Sequence, residues 1–274
     1  MTLQRKMKEN ALQSLKNNWG RALGILLFQL GVYVFFLLLE QLLCQVLNLA
    51  LPEAPAMRLD WQNGFLVDSR LAVVSATGIL IEVLILTPLG MGVRRWYCDQ
   101  VAGELPPILT IFSYFYSWKT LFRVVLLRIM VLLRKILWAI PFVIPCAAIF
   151  WGLRWVRVES GPAMAIYFAA SALGVLVTIL MGILWYFVTL RYYLTDYLFI
   201  LEEGLGLHQI IRKSVAAMKG GKRQLFSLQL SMVPWGLLSL LAVPLLFVIP
   251  YYRATTAIFA KVRIEGYNRK NLTK

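Results

Sequence analysis

Five cations fall within twelve residues of the stretch RKSVAAMKGGKRQLF (212–226): Arg212, Lys213, Lys219, Lys222 and Arg223, with no acid between them. Fixed positive charge at that density is phosphate-binding chemistry, because guanidinium and ammonium groups donate charge-assisted hydrogen bonds to phosphate oxygens. Three sources of phosphate compete. A nucleotide P-loop needs glycine five residues before its Gly-Lys pair and a hydroxyl after it; Ala216 and Arg223 occupy those places. Single-stranded nucleic acid asks for interleaved stacking aromatics, and residues 212–223 contain none. The chain turns apolar from Leu225. The remaining source is an anionic lipid headgroup, and the five cations are assigned as headgroup contacts that also hold this segment at the inner surface of a membrane.

A second set of chemically able residues lies inside apolar sequence, where an ionisable group is costly and a functional candidate by default. Glu82 sits in the middle of one apolar run, and Arg128, Lys135 and Arg253 interrupt others. A central carboxylate either takes a proton or pairs with a cation such as Arg128 or Arg253. Glu82, Arg128, Lys135 and Arg253 therefore make up the candidate intramembrane polar site. The simpler reading has the cations snorkelling to the interface while Glu82 makes one interhelical pair. Helical spacing limits the site: at about 100° per residue, Arg128, Arg134 and Lys135 stand at about 0°, 240° and 340°, so Arg134 leaves the face the others share and reaches the headgroups.

Catalytic constellations are scarce. No HExxH, GxSxG or paired acidic motif occurs. Glu202-Glu203-Gly204 reads as a solvated helix end, and His208, the only histidine, as an interfacial side chain rather than a metal ligand. Cys44, Cys98 and Cys146 form no CxxC pair and are odd in number, which speaks against a disulfide framework or a zinc site. Neither an enzymatic activity, a metal nor a cofactor is expected.

The elements that must position these residues follow from composition. The chain is 60% hydrophobic and 15% charged, with mean hydropathy +0.71, against roughly 45–50% and about 25% for soluble domains. A soluble fold of 274 residues has no interior large enough for that surface, so the expected solvent is lipid. The net charge of +15 then reads as inner-loop Lys and Arg rather than a nucleic-acid surface. The first apolar run starts after residue 21 and continues for nearly thirty residues, an uncleaved anchor rather than a signal peptide.

Taking about 20 apolar residues per crossing, spans are expected near 22–50, 71–93, 122–153, 163–190, 225–243 and 244–264, the last two separated at Val243-Pro244. With six spans and the N-terminus inside, segments 1–21, 94–123, 191–223 and 261–274 face inward. They hold 20 of the 28 Lys and Arg but 7 of the 13 acids, which fits both termini being cytoplasmic. Leu3, Met7, Ala11 and Leu15 recur every fourth position, as do Leu207, Ile211, Val215 and Met218 nearby in spacing. Both stretches read as basic amphipathic helices lying along headgroups.

Several blocks resemble the bacterial integral membrane family catalogued as domain of unknown function 975. ENALQSLKNNWGRALGILLF (9–28) is similar to its short basic helix, Asn-Trp-Gly turn and first span. TPLGMGVRRWYCDQVAGELPPILTIFSYF (87–115) resembles its Gly/Pro span end, Gly-Glu turn and Phe-rich inner helix, and LWAIPFVIP (137–145) its Leu-Trp…Ile-Pro segment. IIRKSVAAMKGGKRQLFSLQLSMVPWGLLSLL (210–241) with PYYRATTAIFA (250–260) reproduces the spacing Lys-Ser, Met-x-Gly-x-Lys, Leu-Phe, Leu-Ser, Trp, Pro-Tyr. Residues about 146–185 look like additional apolar chain before the Tyr-rich segment 186–204. The resemblance implies a multi-span membrane protein and carries over no activity and no catalytic residue.

The expected protein is an all-α polytopic transmembrane bundle of about six spans. A basic interfacial helix occupies 1–21, the membrane domain 22–264, and a basic cytoplasmic tail 265–274. It sits in a bacterial cytoplasmic membrane as a non-enzymatic membrane-organising or partner-binding protein that engages anionic lipid, not nucleic acid. The alternative is a transporter for a small anionic solute or lipid, using the central carboxylate and inner cations. Gly174 and Gly182 in the fourth span permit close helix approach, within one chain, between copies, or against another membrane protein.

Overall fold

The structure, a computed structural model, describes residues 3–46, 57–60, 64–67, 69–154, 162–238 and 243–272. The first helix, α1, is Leu3–Leu15, and α2 runs Trp19–Val46. A short antiparallel hairpin, β1 (Met57–Asp60) and β2 (Gly64–Val67), pairs Met57 with Val67 and Asp60 with Gly64. Then come α3 (Ser69–Val101), a 3-10 turn at Ile108–Phe112, α4 (Trp118–Arg154) and α5 (Pro162–Thr189). A second 3-10 turn, Leu190–Tyr192, leads to α6 (Thr195–Leu201), α7 (Leu207–Ala217), α8 (Lys222–Leu230), α9 (Val233–Leu238) and α10 (Val243–Leu272). Apart from the hairpin the described protein is helical, as its composition requires: in lipid, only a helix or a closed barrel satisfies every backbone group internally.

Among the described residues, five helices are long and apolar enough to cross a membrane, over Trp19–Val46, Ala76–Val101, Trp118–Leu153, Met164–Leu201 and Pro244–Lys270. The difference from six lies at 225–243, which is not one helix. α8 ends at Leu230 and α9 begins at Val233. Pro234 cannot continue α8, because its ring lacks an N–H and clashes with the preceding turn. The Ser231 hydroxyl also donates to the Leu228 carbonyl at 2.6 Å, drawing off a helix acceptor. α10 begins at Val243, at the expected Val243-Pro244 separation; residues 239–242, the expected end of span one at 47–50, most of 51–68 and all of 155–161 lie outside the described residues.

The chain forms two compact units, and it passes between them within α4, between α8 and α9, and within α10. The first is Met1–Leu126 with Met232–Lys261. Its core is built where α3 meets the Ile108–Phe112 turn. Trp96 and Tyr97 are buried there, and the Trp96 indole donates to the Pro106 carbonyl at 3.1 Å. α1 lays Met7, Ala11 and Leu15 inward, with Ala11 and Leu15 fully covered. Gln100 of α3 donates to the Ser14 carbonyl at 2.7 Å, which fixes the register of α1. The apolar stripe of α1 is thus covered by protein, with Arg5 and Lys6 outward. Burying Leu15 alone contributes about 2 kcal/mol. In α10, Ala254, Thr255, Thr256, Ala257 and Ala260 are all buried, a small-residue face that lets helices approach closely.

The second unit is Leu127–Ser231 with Val262–Lys274. The Trp185 indole of α5 donates to the Lys135 carbonyl of α4 at 3.0 Å. The most apolar stretch of α4 has 0% of its residues buried inside the protein, whereas that of α10 has 44%. That stretch of α4 therefore offers its side chains to lipid, although Val124, Leu127 and Val131 earlier in the helix are buried, and α10 is a packing helix.

Candidate functional site

Within the second unit, the residues after α6 build a groove. α6 stops at Leu201, and Gly204 turns the chain with φ of 93°, a left-handed conformation natural to glycine. The Gly206 N–H donates to Gln209 Oε1 at 3.1 Å and opens α7. α7 then buries Ile210, Ile211, Ser214, Ala217 and Met218, with the Ser214 hydroxyl on the Arg191 carbonyl at 3.0 Å. This stripe is turned slightly from the expected one: Ile211 and Met218 are inside, while Leu207 and Val215 are only half-buried.

The C-terminal end of α7 is held by α10. Arg263 donates through Nε to the Ala217 carbonyl at 2.8 Å and through Nη2 to the Lys219 carbonyl. A guanidinium on the last carbonyls satisfies acceptors that a helix end leaves open and complements its dipole. Gly221 must be small here, since a Cβ would lie 2.7 Å from Arg263 Nε. Glu202 ties the other end: both its carboxylate oxygens accept from Lys213 Nζ, at 2.7 and 2.6 Å, and Oε1 also accepts from Asn268 Nδ2 at 2.9 Å. Glu202, expected as a solvated turn residue, is instead the half-buried joint between α6, α7 and α10.

Between the outer face of α7 and the end of α10 lies an open groove of about 970 Å³. Arg212, Lys213 and Lys219 line it together with Gln209, Tyr267 and Asn268, while Leu205, Val215, Ala216 and Leu272 supply apolar wall. No acid lines it. Arg212 lies on α7 and Lys219 in the turn just beyond its last residue, Ala217, and both line the groove. Of the five cations of the basic stretch, three thus converge. Lys222 and Arg223 are not among the lining residues. The Lys222 ammonium stands 5.7 Å over the Phe187 ring, and partial burial, helped by the nearby Arg191 charge, lowers its pKa from the usual lysine value.

The intramembrane candidates are distributed. Glu82 is exposed on α3, and with Glu40 of α2 it lines an apolar cavity of about 330 Å³ in the first unit. Arg253, also in that unit, does not line this cavity and donates to Gln29 Oε1 of α2 at 2.7 Å. In the second unit Arg128 lies 3.8 Å from the Asp196 carboxylate, and Lys135 follows Arg134, whose guanidinium donates to His208 Nδ1 at 3.1 Å. Arginine has no acceptor, so that contact makes Nδ1 the unprotonated ring nitrogen. Among the described residues, no three His, Cys, Asp or Glu side chains gather to hold a metal ion. Reading the sequence alone misses Glu202, Asn268 and Arg263, and also the meeting of Glu40 with Glu82. The Gly204 turn is the one local signal that Glu202 and Lys213 face each other.

Among the described residues, five span-length helices, joined by short helices and one small hairpin, define an integral membrane protein of the helical, polytopic class. The chain belongs to the family described as "Protein of unknown function (DUF975)", whose model matches residues 1–264 and so includes the segment 146–185. No curated protein and no solved structure matches it.

Proposed function

We propose that this is a non-enzymatic, membrane-organising protein of a bacterial cytoplasmic membrane that engages anionic lipid through its basic inner surface. The observation that carries this reading is the groove, with three convergent cations, no acid, and walls that begin just beyond Leu201 and around Tyr267, where two apolar stretches end. Each such cation near an anionic leaflet contributes about 1 kcal/mol. The transporter reading has less support, because Arg128 and Arg253 already have Asp196 and Gln29 as neighbours. Purified protein, relipidated in phosphatidylglycerol or in phosphatidylcholine, tests the proposal. A higher melting temperature and salt-sensitive retention are expected with phosphatidylglycerol only. Indifference to headgroup charge refutes it.

The same contacts support the end of α10 lying on the same side of the bilayer as the basic stretch. Arg263 bonds the backbone at Ala217 and Lys219, and Asn268 bonds Glu202, so 202–219 and 263–268 occupy one side of the bilayer. The chain between them must cross an even number of times. The apolar part of α10 makes one crossing, so by parity a second falls between Lys222 and Val243, a stretch of which α8 and α9 are described. About 20 residues at about 1.5 Å each have the required reach. In a chain whose native cysteines are alanine, Ala242→Cys is expected to react with an impermeant maleimide from outside, and Lys219→Cys only from inside. Labelling of both from one side would show that 222–243 returns without crossing.

A further inference from the structure

We propose that the groove between α7 and the end of α10 is a discrete site for one phosphate-bearing glycerolipid, its phosphate held between Arg212 and Lys219 and its glycerol and upper acyl chain laid on Leu205, Val215 and Leu272. This rests on the anionic-lipid reading above and sharpens it from a charged surface to a single pocket.

Arg212 of α7 and Lys219 of the turn that follows it are exposed and, among the described residues, neither side chain has an ion pair. Lys213 is different: Glu202 holds its ammonium in both oxygens and leaves it as wall. One cation on α7 and one just past its end suit a phosphate seated above Ala216, a small residue of the groove wall that lies between them in sequence. The Tyr267 phenol, also in the wall, offers a further donor. The ligand is a lipid rather than a free phosphate because half the wall is apolar and the groove adjoins the ends of two span-length stretches, at headgroup depth.

The test is native mass spectrometry of the full chain titrated with phosphatidylglycerol, phosphatidylcholine and water-soluble glycerol 3-phosphate. Two double variants remove equal charge: Arg212→Gln with Lys219→Gln inside the groove, and Lys222→Gln with Arg223→Gln outside it. Wild type is expected to retain one phosphatidylglycerol and no comparable phosphatidylcholine or glycerol 3-phosphate. The groove variant should bind about 30-fold more weakly, as expected for two lost headgroup cations. The outer variant should stay within about twofold, and Arg212→Lys with Lys219→Arg should restore binding. Equal losses in both Gln variants overturn the discrete site while leaving the charged-surface reading standing. Equal binding of phosphatidylcholine by wild type overturns both. Glycerol 3-phosphate binding as tightly as the lipid overturns the acyl-chain wall.

Discussion

Gly92→Ala is expected to disrupt the first unit. A Cβ at residue 92 would lie 1.9 Å from the Ile111 carbonyl oxygen and 2.5 Å from its carbon, where contacts between such atoms need about 3.5 Å. The obstacle is backbone, not a flexible side-chain tip, so no rotamer relieves it. The Ile108–Phe112 turn must move by more than an ångström, yet it is held by buried Ile111, by the Trp96 bond to Pro106, and by Phe112 against Phe28 at 5.5 Å. Overpacking of a closed core costs about 1–3 kcal/mol, and a backbone clash of this size belongs at or beyond the upper end. Gly24→Ala is the control: nothing lies within 4 Å of its Cβ position, and removing a helical glycine should stabilise by about 0.5–1 kcal/mol. Melting curves in detergent should therefore move in opposite directions. If the two variants melt alike, the close approach of α3 to the turn is wrong.

How much of this arrangement could be read from the residues depends on the range of the interaction concerned. Membrane spans are local: a run of about 20 apolar residues declares itself, and the regions around 22–46, 76–93, 122–153, 164–190 and 244–260 are helical where expected. The break at 231–232 was also encoded locally, in Ser231 and Pro234, but the apolar average over 225–243 hides it. Amphipathic stripes show that α1 and α7 have an apolar face, yet not what covers it. Lipid and protein are equally acceptable to Met7 or Ile211, and only tertiary structure shows that protein covers both. Polar partners were the least legible. Glu202 finds Lys213 eleven residues away and Asn268 at sixty-six, while Arg263 reaches back forty-six to Ala217. Such pairs obey no helical or strand period. The cationic groove was half-visible for the same reason: α7 and the turn after it supply Arg212 and Lys219 from one stretch of sequence, whereas its opposite wall comes from Tyr267 and Leu272.

Glu202→Ala should separate stability from lipid binding by moving them in opposite directions. The Glu202 and Lys213 side chains retain only 18% and 26% of their exposure, so their pair is shielded from water more than an ordinary surface bridge is. Deleting the acid leaves a partly buried ammonium and the Asn268 amide without their shared acceptor. Losing one partner of a fully buried pair costs about 3–5 kcal/mol; with a quarter of Lys213 still wetted, about 2 kcal/mol is the expected loss. Because Glu202 joins α6, α7 and α10, that loss should appear as a lower melting temperature in neutral detergent. The freed Lys213, however, becomes a third available cation in the groove, so phosphatidylglycerol should bind more tightly and raise the melting temperature by more than it does in wild type. Glu202→Gln keeps an acceptor for Lys213 and should fall between the two in stability while still gaining affinity, since the negative charge is gone. A merely structural Glu202 would lower the melting temperature equally in both lipids. A larger lipid-dependent shift in the less stable protein is the signature that Glu202 restrains the groove it supports.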